Sequence, residues 1–372
     1  MSAPSQQEAF ARIRLLRSPN IGPVTYAQLL RRFGDARAAI EALPDLAARG
    51  GSPYRPAPEN RIADEVVATK KAGARYLFHD SPDYPQLLGQ MEGAPPILIV
   101  RGDPALAARP TVAIVGARNA SAGAIKLARD FAAALAEAGF TVVSGLARGI
   151  DGAAHRGALA AGGVGGATIG VIASGIDIAY PPEHAELQAE VAERGLLVSE
   201  QPPGTDPLAR HFPARNRIIA GLAAGTLVVE AAPKSGSLIT ARLAGEAGRE
   251  VMAIPGSPLD SRAHGGNQLI RDGAVLVQSP EDVIELLSSF DGTPRSSFRE
   301  AAPAWFAPDD ELADVSSGPA DLAALLTTAP VAIDELIRQS ADSAAAVQLA
   351  LLELEIAGRL VRHAGGRVSL AS

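Results

Sequence analysis

The sequence predicts an α/β protein with a Rossmann-like parallel sheet between an N-terminal helical module and a C-terminal winged helix. From residue 111 onward, short apolar runs bounded by glycine alternate with helical stretches. This pattern is typical of parallel strands whose two faces are covered by helices. Residues 1–78 contain helical patterns only, and residues 320–372 contain three helical patterns followed by a small hairpin, the order of a winged helix.

The N-terminal module, residues 1–78, contains four predicted helices, at 8–17, 23–33, 36–42 and 60–72. Residues 18–23, with the sequence Ser-Pro-Asn-Ile-Gly-Pro, predict a tight turn between the first two helices. Residues 79–110 are rich in proline, and we interpret them as a connector with one short strand at 97–100.

The core domain, residues 111–289, contains seven predicted strands, at 111–115, 141–143, 167–173, 196–199, 226–229, 251–254 and 274–277. Helices are predicted between the early strands, at 122–138, 153–161 and 183–194. In parallel sheets of this kind, ligands bind on the loops that follow the carboxyl ends of the strands. We therefore expect the site residues on these loops.

Residues 290–319 are polar, without periodicity, and predict a linker, so that residues 320–372 form a separate winged helix. Its helices are predicted at 321–328, 333–340 and 343–357, and its hairpin strands at 359–363 and 367–370. The longest helix contains Glu353 and Glu355 and no basic residue, so it should repel a DNA backbone. A packing or protein-binding module is favoured over a DNA-binding one, despite Arg359, Arg362 and Arg367 in the wing.

Composition excludes several classes of protein. The chain has no cysteine, so neither disulfides nor thiolate chemistry is available, which fits a reducing cytoplasm. The N-terminal sequence has no apolar core of signal-peptide type, and no apolar run reaches membrane-spanning length, so we expect a cytoplasmic protein without a membrane partner. The net charge is −7, so any nucleic-acid site must be a local cluster of arginine and lysine.

The loop after the first core strand, residues 116–121, precedes a long predicted helix. A glycine at the strand end lets the backbone approach a phosphate, and the helix N-terminus offers free amides. The dinucleotide fingerprint is not met, because Arg118 and Ser121 occupy its second and third glycine positions. We therefore expect no NAD, FAD or other cofactor, and instead a phosphate ligand contacted by Gly116, Arg118 and Asn119.

The loop after the second core strand is also rich in glycine, and its candidate ligand contacts are Ser144, Gly145 and Arg148. Asp151 is expected to cap the following helix by accepting a hydrogen bond from a free amide. His155 has two interpretations, an acid/base group or a packed side chain, and the packed side chain is favoured.

Residues 210–217 place three arginines around one aromatic residue, in a domain that is otherwise acidic. One interpretation is a solvated, charged turn. The other is a pocket in which arginines bind phosphates and an aromatic ring stacks on a base of any sequence. The candidate contacts are Arg210, Phe212, Arg215, Asn216 and Arg217.

After the fifth core strand, a turn of Lys234, Ser235, Gly236 and Ser237 opens a helix and could bind phosphate, although the P-loop spacing is absent. Glu230 before it is either a catalytic acid or a hydrogen-bonded carboxylate that orders the loops, and the second is favoured. No two histidines have the spacing of metal ligands, and the sequence shows no recognisable pair of a nucleophile and a base. We therefore expect a binding protein, without metal and without catalytic residues.

These loops, in this order, resemble the DNA processing protein A (DprA/Smf) family. The resemblance spans about residues 110–280 and rests on the stretches VGARNAS, SGLARGIDGAAHRGAL, ASGIDIAYPPEHAEL, SEQPPG, FPARNRIIAGL, VVEAAPKSGSLITARLAGEAGREVMAIPG and LIRDGA. It implies a Rossmann-like domain that binds single-stranded DNA, a homodimer, and delivery of the strand to RecA recombinase in natural transformation. The N-terminal helices resemble a SAM-like or helix-hairpin-helix domain, and the tail resembles the winged helix of the family.

The resemblance also assigns site residues. Arg118 matches the arginine after the first strand, while Ala117 replaces a hydroxyl residue common in the family. The stretch from Phe212 to Arg217 matches the FP-x-RNR motif. Ala209 stands where relatives often have lysine, and Arg210 beside it could substitute. In the third loop, Ala173 replaces a frequent glycine.

Two alternatives stay open. The same glycine-rich loops resemble nucleoside-monophosphate phosphoribohydrolases, whose PGGxGT turn has KSGSLIT as its nearest counterpart here. An enzyme of this kind would release free base from AMP. A structural adaptor acting through its linker and tail is the second alternative, and it leaves the arginine cluster unexplained.

Overall fold

The computed structural model describes residues 4–161, 168–288, 319–340, 342–363 and 365–371. Within these residues, the contacts divide the chain into two compact units. One contains residues 65–288, and the other joins residues 4–64 to residues 319–371. The predicted linker lies outside the described residues except for its last position, and the predicted domain limits stay predictions.

The N-terminal module contains α1 (Gln6–Arg17), α2 (Pro23–Phe33), α3 (Ala36–Arg49) and α4 (Glu59–Lys71). The predicted end of the third helix at residue 42 is wrong, because α3 continues through Pro44. Proline removes one hydrogen bond from a helix. Leu43, Leu46 and Ala47 are each fully buried and extend the apolar face, which offsets this loss.

The central sheet of the described chain contains β1 (Arg75–Phe78), β2 (Ile97–Gly102), β3 (Thr111–Val115), β4 (Thr141–Ser144), β5 (Thr168–Ile172), β6 (Leu196–Ser199), β7 (Gly225–Val228), β8 (Glu250–Ala253) and β9 (Val275–Leu276). Strands β3 to β9 match the seven predicted core strands and pair in parallel. The strand β1 was not predicted. It pairs antiparallel with β2, which pairs antiparallel with β6 at one side of the parallel sheet.

The strand order is β1-β2-β6-β5-β4-β3-β7-β8-β9. The first core strand, β3, therefore lies between β4 and β7, and the chain changes direction across the sheet at this point. In open α/β sheets a ligand-binding crevice forms beside such a switch point, at the carboxyl ends of the strands. The topology thus brings together the loops in which the sequence predicts the site.

The helices of this unit are α5 (Gln86–Gly89), α6 (Ala122–Glu137), α7 (Ile150–Ala160), α8 (Ala185–Arg194), α9 (His211–Leu222), α10 (Gly236–Glu246), α11 (His264–Arg271) and α12 (Pro280–Ser288). Alternate residues of β3 enter two cores, because successive side chains of a strand point to opposite faces. Val112 and Ile114 pack with residues of α6 and α7, whereas Ala113 and Val115 pack with residues of α9 and α10. The sheet is therefore covered on both faces, as the apolar strands predict.

Residues 210–217 do not form a loop, in contrast to the sequence interpretation, because α9 begins at His211. Pro213 lies in the first turn of the helix, where a missing amide proton costs nothing. The side chains of Phe212, Arg215 and Arg217 are therefore distributed around a helix.

The C-terminal module contains α13 (Pro319–Ala324), β10 (Val331–Ala332), α14 (Ile333–Ser340), α15 (Ala344–Ile356), β11 (Leu360–His363) and β12 (Arg367–Leu370). The three strands pair in the order β10-β12-β11. Three helices and this small sheet form the predicted winged helix, although α13 is shorter than the predicted segment 321–328. No helix in the described part of the chain combines the length and the hydropathy needed to cross a bilayer.

Candidate nucleic-acid interface

A surface cleft with an open volume of about 440 Å³ lies at the carboxyl ends of β3, β4, β5 and β6. It combines three arginines with two aromatic rings. Its lining residues are Arg118, Gly145, Ala147, Arg148, Ile172, Ala173, Tyr180, Pro181, Pro207, Phe212 and Arg215. Five of the predicted site residues, namely Arg118, Gly145, Arg148, Phe212 and Arg215, therefore line one cavity.

Arg215 is the most buried cation of this cleft, with 6% of its surface exposed. Its guanidinium lies against the backbone of Gly145, and Nη1 is 3.9 Å from Oδ2 of Asp151. The Nε atom of Arg215 has no hydrogen-bond partner. Burial lowers the pKa of Arg215, Asp151 opposes this shift, and Arg118 adds to it by charge repulsion. Two cations close together in one cleft suit an anionic ligand.

Asp151 lies behind Arg215, and its predicted role as a helix cap is wrong. The N-cap of α7 is Gly149, and Asp151 is in the first turn. Gly149 has φ +73°, and a Cβ atom there would lie 2.2 Å from the carbonyl oxygen of Ala117, so this position requires glycine. The Asp151 carboxylate instead accepts a hydrogen bond from the Ala147 amide. Burial raises the pKa of Asp151, and the neighbouring charge of Arg215 opposes that shift.

Two aromatic rings, Phe212 and Tyr180, line the cleft together with Arg118. The guanidinium carbon of Arg118 is 5.1 Å from the ring centroid of Phe212. The ring of Tyr180 is 5.6 Å from that of Phe212, at an angle of 55°. Tyr180 is 42% exposed, so its ring is accessible to a ligand. The arrangement offers π-faces and a cation within one cavity.

Tyr180 was missed by the sequence analysis. It precedes Pro181 in the loop after β5, within the stretch Ile178-Ala179-Tyr180-Pro181-Pro182. The sequence signal that could have identified Tyr180 is its position: it is an aromatic residue in the loop after the third core strand, at the same sheet edge as the other site loops. The stretch ASGIDIAYPPEHAEL, which contains Tyr180, is part of the family resemblance, but the residue singled out in it was Ala173, which also lines the cleft.

Arg148 lies at the mouth of the cleft and forms an ion pair with Glu183. Both side chains are largely exposed, with relative exposures of 63% and 47%. The hydrogen bond with Glu183 raises the pKa of Arg148, and the same bond lowers the pKa of Glu183. An ion pair that is so exposed contributes little to stability, so Arg148 can exchange Glu183 for another anion.

The remaining predicted site residues do not line the cleft. They are Gly116, Asn119, Ser144, Arg210, Asn216, Arg217, Lys234, Ser235, Gly236 and Ser237. Ser144 is fully buried, and its hydroxyl donates to the carbonyl oxygen of Ile114. Arg217 donates to Oε1 of Glu200 at 2.5 Å and to the carbonyl oxygen of Gly93 at 2.9 Å. The hydrogen bonds of Ser144 and Arg217 therefore connect separate elements of the fold.

The turn that contains Lys234 lies beside α9. Ser235 caps α10, and the side-chain amide of Asn216 donates to the carbonyl oxygen of Gly236 at 3.2 Å. Lys234 itself is exposed and has φ +65°. The turn is therefore attached to the helix that carries Phe212 and Arg215, although it lies outside the cleft lining.

Glu230 and His155 form hydrogen bonds within the fold. Both carboxylate oxygens of Glu230 are engaged by Ser121, one by its amide at 3.0 Å and the other by its hydroxyl at 2.7 Å. This confirms the interpretation of Glu230 as a carboxylate that orders the loops. His155 is fully buried, with Nδ1 2.7 Å from Oγ1 of Thr168. Burial lowers the pKa of His155 to about 3, so the ring stays neutral, and its interpretation as a packed side chain is confirmed.

Comparison with known proteins gives three family matches along the chain. The family model described as DNA recombination-mediator protein A matches residues 75–288. A DprA-like N-terminal HHH domain matches residues 6–68, and a DprA winged helix domain matches residues 306–366.

Among relatives, Protein Smf of Escherichia coli is 38% identical over 318 residues, which cover 84% of this chain and 82% of the relative. The X-ray structure of DNA processing protein A from Streptococcus pneumoniae superposes with a TM-score of 0.63 at 34% identity, covering 78% of this chain and 99% of that one. A Helicobacter pylori structure, described as showing a unique single-stranded DNA binding mode of DNA processing protein A, gives a TM-score of 0.52 at 29% identity. It covers 58% of this chain and 97% of that one.

Proposed function

Because the chain belongs to the DNA recombination-mediator protein A family, we propose that it binds single-stranded DNA in the cleft around Arg215. The family matches support DNA processing and recombination mediation as its general role. Binding, without catalysis and without a cofactor, is the proposed molecular function.

The observation that carries this proposal is the pair of cations, Arg118 and Arg215, at one cavity that also contains aromatic rings. A phosphate between the two guanidinium groups would reduce their repulsion. Arginine is suited to this role because its planar fork matches the geometry of phosphate oxygens.

Phe212 and Tyr180 are the proposed base contacts. A base stacked on an aromatic ring contributes roughly 1–3 kcal/mol, and every base has a π-face, so sequence matters little. In a duplex the bases are paired and stacked inside the helix, where these rings cannot reach them. The cleft therefore favours single strands over duplexes.

We propose the turn at Lys234, Ser235, Gly236 and Ser237 as a second phosphate contact of the same strand. The exposed ammonium of Lys234 and the N-terminus of α10 both favour an anion. The bond between Asn216 and Gly236 supports a continuous path from the cleft to this turn. Gly116, Asn119 and Arg210 stay predicted contacts of the wider surface, whereas the guanidinium of Arg217 is engaged with Glu200 and Gly93.

The proposal extends to partners. We propose a homodimer that delivers its bound strand to RecA recombinase in the cytoplasm during natural transformation, which family membership supports. Co-precipitation of purified RecA by the DNA-loaded protein tests this extension. The phosphoribohydrolase alternative is not favoured, because Ser121 occupies both carboxylate oxygens of Glu230.

Fluorescence anisotropy tests the central proposal. The full chain is titrated against labelled oligo-dT, oligo-dA and a blunt hairpin duplex of equal phosphate number, at several salt concentrations. We expect similar affinity for both single strands and clearly weaker binding of the duplex. Equal affinity for the duplex, or no binding of either single strand, would overturn the proposal.

A further inference from the structure

The long helix of the winged helix, α15, has apolar residues on more than one side. One set of its residues packs into the core of its own module: Val347, Ala350, Leu351 and Leu354. A second set, Leu352 and Ile356, belongs to the core cluster of the N-terminal helices, together with Leu43 and Leu46 of α3. A helix with apolar residues on more than one side is buried against more than one neighbour. The N-terminal helices cover the side of α15 that its own module leaves open.

The helices α3 and α15 pack closely against each other, and Gly50 permits this close contact because it has no side chain. Gly50 lies at the end of α3, where a Cβ atom would stand 2.3 Å from the carbonyl oxygen of Glu353 and 2.7 Å from the Cβ atom of Ala357. These distances are shorter than van der Waals contact allows. Gly50 has φ −70°, so its backbone does not require glycine, and the requirement comes from the neighbouring helix alone.

Polar contacts fix the same interface. Oε1 of Glu353, whose side chain is only 4% exposed, lies 3.1 Å from Nε of Arg49. The side-chain amide of Asn20, in the turn between α1 and α2, donates to the carbonyl oxygen of Ile356 at 3.1 Å. Arg359 donates to the carbonyl oxygen of Gly50 at 3.1 Å. Directional bonds at both ends of the contact fix its register, in addition to the apolar burial.

In DNA-binding helix-turn-helix folds, the helix that corresponds to α15 enters the major groove. Here that helix is covered, and two wing arginines are engaged: Arg359 with Gly50, and Arg362 with Glu355 at 2.7 Å. We propose that α15 locks the winged helix onto the N-terminal helices of the same chain, so that this winged helix is an internal clasp and does not read duplex DNA.

Thiol cross-linking tests the clasp in the full chain. The side chains of Gln28 on α2 and Gln348 on α15 approach to 3.5 Å, and the natural sequence has no cysteine. The double variant Gln28→Cys/Gln348→Cys is treated with a short bismaleimide at low protein concentration, with each single variant as control. We expect a cross-link within one chain, identified by its peptide masses. A cross-link only between two chains, or none, would overturn the proposal.

Two glycine substitutions, one at the interface and one outside it, test the close contact between α3 and α15. Gly50→Ala in this background should lower the yield of the cross-link several-fold, because the added methyl group separates the helices. Gly22→Ala is the control, since no atom lies within 4 Å of a Cβ there. An unchanged yield for Gly50→Ala would contradict the geometry of the clasp. Circular dichroism verifies that both variants keep their helices.

Hydrogen exchange tests the consequence for DNA. In the wild-type chain, the amides of residues 344–356 should exchange at the same rate with and without saturating hairpin duplex. Slower exchange at α15 in the presence of duplex would show that this helix contacts DNA. Faster exchange would show that duplex opens the clasp, and either result would overturn the proposal.

Discussion

The Nη1 atom of Arg215 lies 1.4 Å from the point where a Cβ atom would stand on Gly145. The guanidinium therefore occupies the space that any other residue would need for its side chain. Gly145 has no positive φ, so the backbone alone would accept alanine at this position. Glycine in the loop after β4 and arginine on α9 thus form one structural unit at the base of the cleft.

Gly145→Ala should displace the guanidinium of Arg215 and weaken binding of single-stranded DNA. A hydrogen bond to a charged group contributes about 1.5–3 kcal/mol, so we expect an increase in Kd of roughly 10- to 150-fold. The control is Gly123→Ala on α6, where the added methyl group would lie 4.0 Å from Oγ of Ser121, an ordinary van der Waals contact. Titration of oligo-dT with both variants is the measurement, and equal Kd values would contradict the assignment.

Phe212→Leu and Tyr180→Leu should each weaken binding while keeping apolar volume in the cleft. Loss of base stacking costs about 1–3 kcal/mol, or roughly 5- to 150-fold in Kd, and the loss should be similar for oligo-dT and oligo-dA. Quenching of 2-aminopurine in the bound strand reports stacking directly. If the quenching survives in both variants, the bases do not stack on these rings.

Arg217→Ala should act on stability, because its guanidinium joins Glu200 to the connector at Gly93. The Glu200 side chain is only 18% exposed and would lose its partner, so the free energy of unfolding should fall by about 1–3 kcal/mol. Arg242→Ala removes an exposed pair with Glu246 and should change it by less than about 0.5 kcal/mol. Urea unfolding of both variants makes the comparison, and equal midpoints would count against this role.

His155 should make the protein less stable in acid. Its pKa is about 3 in the folded chain and about 6.5 in an unfolded one, so below pH 6.5 the unfolded chain binds more protons. The stability contributed by the neutral ring is complete above pH 6.5 and is lost as the pH falls toward 3. The slope is up to about 1.4 kcal/mol per pH unit.

His155→Gln, which cannot titrate, should remove this part of the acid sensitivity. The difference in unfolding free energy between wild type and variant should therefore shrink as the pH falls from 7 to 4. A difference that stays constant over this range would show that His155 is not held neutral by the fold.

The sequence predicted the sheet, its order of elements and the edge that carries the site, because apolar strands and glycine turns are local signals. It did not separate Arg215 from Arg217. Because they are two residues apart on a helix, their side chains point about 160° apart around the helix axis. Phe212 and Arg215, three apart, share the face that lines the cleft, whereas Arg217 faces Glu200. In a loop, residues 215 and 217 would have no fixed relative orientation, so the opposite directions of Arg215 and Arg217 follow only from the helix α9.

Other errors have tertiary causes. Asp151 looked like a helix cap because its residue type favours that position, but the N-cap is Gly149, where the Ala117 carbonyl leaves no room for a Cβ atom. The partner of Glu353 could not be predicted either, since Arg49 is distant in sequence. The acidic, apolar character of α15 nevertheless indicated packing correctly, because that signal is contained in the helix itself.

The salt dependence of DNA binding provides the sharpest test of a phosphate site in the cleft. The slope of log Kd against log salt is measured with oligo-dT for wild type, Arg118→Ala in the cleft and Arg242→Ala on the exposed face of α10. Both variants remove one positive charge from the same domain. We expect Arg118→Ala to weaken binding and to flatten the slope by about 0.7, whereas Arg242→Ala should leave the slope unchanged. Identical slopes for the two variants would contradict a phosphate site in the cleft.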